Sequence, residues 1–155
     1  MVFENSYNVG DYVKINNFIG TVIELGAKST RIKSDTGEVK IINNGSITEV
    51  INYSIYDLSV IVDIDVSYDS DLLKVQKVLN DFCKNVRKEL EDVTDDIKLL
   101  GVQELKESGI SFRILAPVKP GSQYKVKREL NMLLKIELDK NNIVIPYPHM
   151  VIANE

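Results

Sequence analysis

Through the first third of the chain, short apolar runs alternate with polar punctuation. Within residues 12–15, Tyr12 and Lys14 fall on one face and Val13 and Ile15 on the other, the period of a strand. Asn16-Asn17 predicts a turn, and residues 18–25 predict a second strand. Gly20 near its start marks a bulge or a close backbone approach. After Gly26, residues 29–33 predict a third strand, in which Thr30 and Ile32 alternate with Arg31 and Lys33. Asp35-Thr36-Gly37 predicts a hairpin into residues 38–42. Asn43-Asn44-Gly45 closes that strand, and residues 47–51 supply a fifth.

Short antiparallel strands with one strongly bent member predict a small Sm- or SH3-like five-stranded β-barrel. A segment this short buries little by itself, so it must lean on the rest of the chain or on copies of itself.

The texture changes after Asn52. Tyr56, Leu58, Val60, Val62, Ile64 and Val66 share one face, and Asp57, Ser59, Ile61, Asp63 and Asp65 share the other. This period-two pattern predicts a long strand over residues 54–66 with one buried side. Leu72, Val75, Leu79, Phe82, Val86 and Leu90 then recur at helical spacing, with Asp69 or Ser70 as cap and Asp71 in the first turn. Strands over residues 98–107 and 110–116 follow, split by Ser108-Gly109 and ended by Pro117. Ser122 can cap a second helix, whose stripe is Val126, Leu130, Leu133 or Leu134, and Leu138. Residues 143–145 predict a last strand, stopped by Pro146-Tyr147-Pro148. The predicted class is α+β: the barrel, then a ferredoxin-like β-α-β-β-α-β unit. The expected organisation is a lead-in over residues 1–8, a β-domain over 9–53 and an αβ-domain over 54–155.

Composition narrows the function. The chain has 155 residues, is 44% hydrophobic and carries a net charge of -4. That balance favours a globular protein and disfavours non-specific nucleic-acid binding. No basic start precedes an apolar run, and the apolar window at residues 59–66 is broken by Asp63 and Asp65. A soluble intracellular chain is the expectation from these residues. Cys83 is the sole cysteine and falls on the apolar side of the first helix, the position of a small buried hydrophobe.

Candidate chemistry is sparse. One histidine, His149, and one cysteine give no soft metal-ligand set and no nucleophile–base pair. Asp63, Asp65, Asp69 and Asp71 lack the spacing of a calcium loop, and read as a wet strand face and a helix start. Pro120-Gly121-Ser122 is not a phosphate loop. Lys28, Arg31, Lys33 and Lys40 could line an RNA-binding face, but no stacking aromatics are interleaved with them. Neither a catalytic centre nor a cofactor or metal site is expected.

Several short motifs, in order, resemble the small-conductance mechanosensitive channel (MscS) family. They are Tyr7-x-Val9-Gly10-Asp11-x-Val13, Gly20-Thr21-Val22 with Ser29-Thr30-x-Ile32, Ile42-x-Asn44-Gly45-x-Ile47, Asn52-Tyr53-Ser54, Tyr68-Asp69-Ser70-Asp71 and Ile145-Pro146-Tyr147-Pro148-x-Met150. Asn43 departs from the proline usual in that family, and His149 from its glutamine. The resemblance implies a lead-in from a pore-lining helix, a middle β-domain and an αβ-domain. Together these form the cytoplasmic vestibule of a ring-shaped homo-oligomer, heptameric in the full channel. Membrane tension would open helices that precede this region, and solutes would leave on osmotic downshock. Met1 falls about where the last of those helices should end, so the chain reads as the soluble cytoplasmic part of a membrane protein; a natural soluble paralogue is the other reading. On this view Gly10, Asp11, Gly20, Thr30, Asn44, Gly45, Asn52, Tyr68, Pro146, Tyr147 and Pro148 are structural signature residues. The partners implied are the chain itself and the membrane, with no nucleic acid. A soluble ligand- or partner-binding regulatory module and an Sm-like RNA binder remain as alternatives.

Overall fold

The structure is a computed structural model that describes residues 6–56 and 58–148. Asp57, His149 and Met150, which figured in the patterns above, lie outside the described residues. The chain divides into two compact units. One runs through Leu58 and takes in Lys119–Gly121; the other holds Ser59–Val118 and the chain from Ser122 onward.

The first unit is an antiparallel sheet of five strands: β1 (Tyr12–Ile15), β2 (Phe18–Leu25), β3 (Ser29–Lys33), β4 (Val39–Asn43) and β5 (Val50–Asn52). They are ordered β4-β3-β2-β1-β5. Asn16 and Asn17 both adopt positive φ, 48° and 65°, which is what a two-residue hairpin between Ile15 and Phe18 requires. The extra residue in β2 falls between Val22 and Glu24, so the bulge is at Ile23 rather than at Gly20. Gly20 serves the other purpose: a Cβ there would lie 2.3 Å from the Lys33 carbonyl oxygen. The core is Val13, Ile15, Val22, Ile32 and Ile42, with Tyr7, Phe18, Ile47 and Val50 packed around it. A single 3-10 turn, Asn44–Ser46, lies just before the expected fifth strand, which begins not at residue 47 but later, at Val50.

The second unit has three strands in the order β6-β8-β7: β6 (Leu58–Val66), β7 (Lys98–Leu105) and β8 (Ile110–Val118). Two helices bury stripes with it, α1 (Leu72–Val86) and α2 (Gln123–Lys140). The expected alternation is realised from Val60 on, with Val60, Val62, Ile64 and Val66 buried and Ser59, Ile61 and Asp63 exposed, but the strand begins at Leu58 rather than at residue 54, and Tyr56, expected on the buried face, is 85% exposed. Val75, Leu79, Phe82, Cys83 and Val86 of α1 and Val126, Leu130, Leu134 and Leu138 of α2 complete the core. Burial raises the Cys83 thiol to about 11, which keeps it protonated and inert.

Three local expectations are corrected. Asp71 is itself the cap of α1, accepting from the Leu73 and Lys74 amides; its side chain reaches both orphan donors, whereas Asp69 and Ser70 lie too early. Pro117 does not end β8, which continues to Val118. The β7 ladder stops opposite Leu115, so the donor that proline lacks is not called for on that side, and the Pro117 carbonyl accepts from Thr94. Finally, the last strand of the β-α-β-β-α-β order forms no ladder. Ile143 is drawn onto the end of α2, its amide donating to the Leu138 carbonyl, and Pro146 has no donor to offer. What remains is a bond from the Ser67 amide to the Val144 carbonyl.

Candidate assembly surface

The first unit ends in two unlike strand edges. β4 shows Val39 and Ile41 to solvent, at 45% and 60% exposure, while Ile42 between them and the turn is buried. At the other end of the sheet, β5 exposes Ile51. A cavity of about 490 Å³ opens beside the β2–β3 turn and the start of β5, lined in part by Tyr7, Thr30, Asn44, Ile47 and Val50. Both free edges of the sheet thus carry exposed apolar residues.

The signature residues hold this sheet in shape, in two clusters. In the first, Gly10 turns the chain at φ 96° and its amide donates to the Val22 carbonyl, 2.8 Å away. The Asp11 carboxylate accepts from the Asn8 amide at 2.9 Å and from Asn52 Nδ2 at 3.0 Å. Asn52 also donates to the Ser6 carbonyl and accepts from the Ser54 amide. Asp11 and Asn52 thereby tie the start of β1 to the end of β5 across 41 residues. In the second cluster the Thr30 hydroxyl, buried to 1% exposure, donates to Asn44 Oδ1 at 2.7 Å. Asn44 Nδ2 donates to the Gly26 and Ala27 carbonyls. Gly45 lies in the 3-10 turn with its amide on Asn43 Oδ1, and a Cβ there would meet nothing closer than 3.7 Å.

The remaining signature residues belong to the second unit. The Tyr68 hydroxyl donates to the Lys106 carbonyl. Pro146 lies against Gly109, and Tyr147 and Pro148 are exposed. Sequence reasoning had read Gly109 as part of a plain turn and missed its contact with Pro146; adjacent Ser108-Gly109 carried no sign of a partner 37 residues away.

Several charges are paired. Arg31 pairs with Glu24 at 3.4 Å, and Lys40 stands over the Phe18 ring at 5.6 Å. On the open side of the second sheet, Arg113 grips Asp63 with two bonds of 2.9 and 3.0 Å, holding that carboxyl below its ordinary range against the opposing effect of burial. Lys106 pairs with Asp65 at 3.3 Å. Ser34 and Thr36 hydroxyls both donate to Glu38 in the β3–β4 hairpin and lower its pKa. Among the described residues no three His, Cys, Asp or Glu side chains gather as a metal site would require, and no helix is long and apolar enough to cross a membrane.

Comparison with known proteins decides the family. Residues 1–55 match the model of the mechanosensitive ion channel β-domain, and residues 60–145 match that of the mechanosensitive ion channel MscS C-terminal region. The chain belongs to the MscS family. It is 31% identical over 152 residues to a small-conductance mechanosensitive channel of Caldanaerobacter subterraneus subsp. tengcongensis, covering 98% of this chain and 54% of that one. It is 27% identical over 155 residues to the MscS family protein YfkC of Bacillus subtilis, covering 92% and 55%. The fold matches the crystal structure of Helicobacter pylori MscS in its closed state, with a TM-score of 0.80 at 22% identity, covering 97% of this chain and 60% of that one. Arabidopsis thaliana MSL1, solved by cryo-EM, matches with a TM-score of 0.64 at 17% identity, covering 94% and 52%. The chain spans about half the length of the curated relatives it matches.

Proposed function

We propose that this MscS-family chain is the vestibule and assembly module of a mechanosensitive channel, lying on the cytoplasmic side of the membrane. The observation that carries the reading is the pair of unlike, apolar-flanked edges. β4 cannot pair with itself about a twofold axis and also leave β5 satisfied, whereas β4 of one copy against β5 of the next repeats head to tail and closes into a ring. The family resemblance sets the expected number of copies at seven. The β-domains would then form a collar beneath the pore, and the αβ-domains a cage through which solutes pass on osmotic downshock. Membrane tension acts on helices supplied elsewhere in the full channel. The module works by geometry and by the charges that line it, with no catalytic step.

Light scattering over a concentration series tests the assembly. Wild type should gain mass with concentration. Ile41→Lys places a charge on the exposed β4 edge, where the residue is 60% exposed and so not needed for folding; it should stay monomeric with an unchanged melting temperature. If wild type is monomeric throughout, or Ile41→Lys associates as well as wild type, the edge-to-edge reading is wrong. Introduced in the full channel, the same substitution should abolish rescue of cells from downshock.

A further inference from the structure

We propose that Gly109 is the seat of Pro146, and that the turn at residues 106–109 is the latch that fixes the course of residues 143–147 over the second unit. A Cβ on Gly109 would lie 2.6 Å from Pro146 Cγ and 3.0 Å from the Val66 carbonyl oxygen. The glycine does not adopt a left-handed φ, so the requirement is space, taken chiefly by Pro146 and next by the Val66 carbonyl, rather than backbone strain. The turn is closed by one bond of its own and tethered from outside by two. The Lys106 amide donates to the Gly109 carbonyl at 2.9 Å, the Tyr68 hydroxyl donates to the Lys106 carbonyl, and the Lys106 ammonium meets Asp65. The segment over residues 142–146 is pinned at successive points: Asn142 turns at φ 57°, Ile143 is buried with its amide on Leu138, Val144 accepts from Ser67, and Pro146 rests on Gly109. One residue later Tyr147 is 82% exposed. A segment that fails to form a ladder is thus aimed by a steric seat instead of by strand pairing.

This gives Gly109 a positioning role. Any use of it in a ring rests on the assembly reading above; the seat itself does not. Amide hydrogen exchange on the whole chain tests it, with the Ser67 amide reporting docking through its bond to Val144. Gly109→Ala should speed Ser67 exchange at least about tenfold, while amides of α1 and of β6 at Val62 keep their rates. Pro146→Ala, which introduces no clash, should also speed it. The double variant should exchange no faster than the faster single one, because both undo the docking of one segment. Ser67 exchange within twofold of wild type in Gly109→Ala, or multiplied effects in the double variant, would overturn the proposal. These readouts need no oligomer, so the seat stands or falls separately from the ring.

Discussion

Gly20→Ala is the sharpest probe of the first unit. The added methyl would sit 2.3 Å from the Lys33 carbonyl oxygen, 2.7 Å from its carbon and 2.8 Å from Ile32 Cγ2. Two of these are backbone atoms of β3, so no rotamer change relieves the overlap. To reach even 3.0 Å, β2 and β3 must separate by about 0.7 Å where Thr21 pairs with Lys33 and Val22 with Ile32. Overpacking of this kind costs about 1–3 kcal/mol, and a weakened ladder bond adds about 1 kcal/mol, so a loss of roughly 3 kcal/mol is expected. For a domain this small each kcal/mol shifts the melting point by about 4–8 °C, which predicts a drop of about 12–24 °C in the β-unit transition. The assay is differential scanning calorimetry beside Gly45→Ala, whose Cβ meets nothing nearer than 3.7 Å and should change stability by no more than about 0.5 kcal/mol. If both alanines melt alike, close strand approach is not why glycine stands at position 20.

Other expectations follow from single contacts. Thr30→Val removes the buried hydroxyl that Asn44 accepts from, and should cost about 1–2 kcal/mol in the first unit by urea denaturation. The Asp63 carboxyl is depressed in the folded chain, chiefly by its bonds to Arg113, so its contribution is present above the ordinary aspartate range and is lost as pH falls through the lower folded value. The melting-point gap between wild type and Asp63→Asn should therefore be flat near neutrality and shrink only in acid below about 4. Cys83, buried with its pKa raised to about 11, should resist a thiol reagent at pH 8 in the folded chain and react at once in denaturant.

What could be read from the amino acids was whatever rests on local periodicity. The alternation of Val60, Val62, Ile64 and Val66 and the stripe of Val126, Leu130, Leu134 and Leu138 each report one buried face, and both faces are buried. The Asn16-Asn17 hairpin was legible because few residues tolerate two successive left-handed conformations. Contacts between distant segments were not. Thr30 and Asn44 belonged to separate motifs, and nothing in either announced a 2.7 Å bond between them. Asp71 and Ser70 are equally good caps on paper; chain direction chose Asp71. Pro117 looked like a terminator because proline forbids a ladder donor, a rule with no force where the β7 ladder has already stopped. Residues 143–145 looked like a strand because they are β-branched, yet Ile143 found a better burial site against α2.

If the ring proposed above forms, the surplus residue in β2 bears on its copy number. Val22 pairs with Ile32, Glu24 with Arg31 and Leu25 with Thr30, so Ile23 is the one position that the register skips. Deleting it would leave those partners and the interior aliphatic residues as they are and would take out the bend alone. In a closed circle of identical units, the arc contributed by each unit dictates how many fit. A chain shortened at residue 23 should therefore still fold, and, where the edges join, count to a different number.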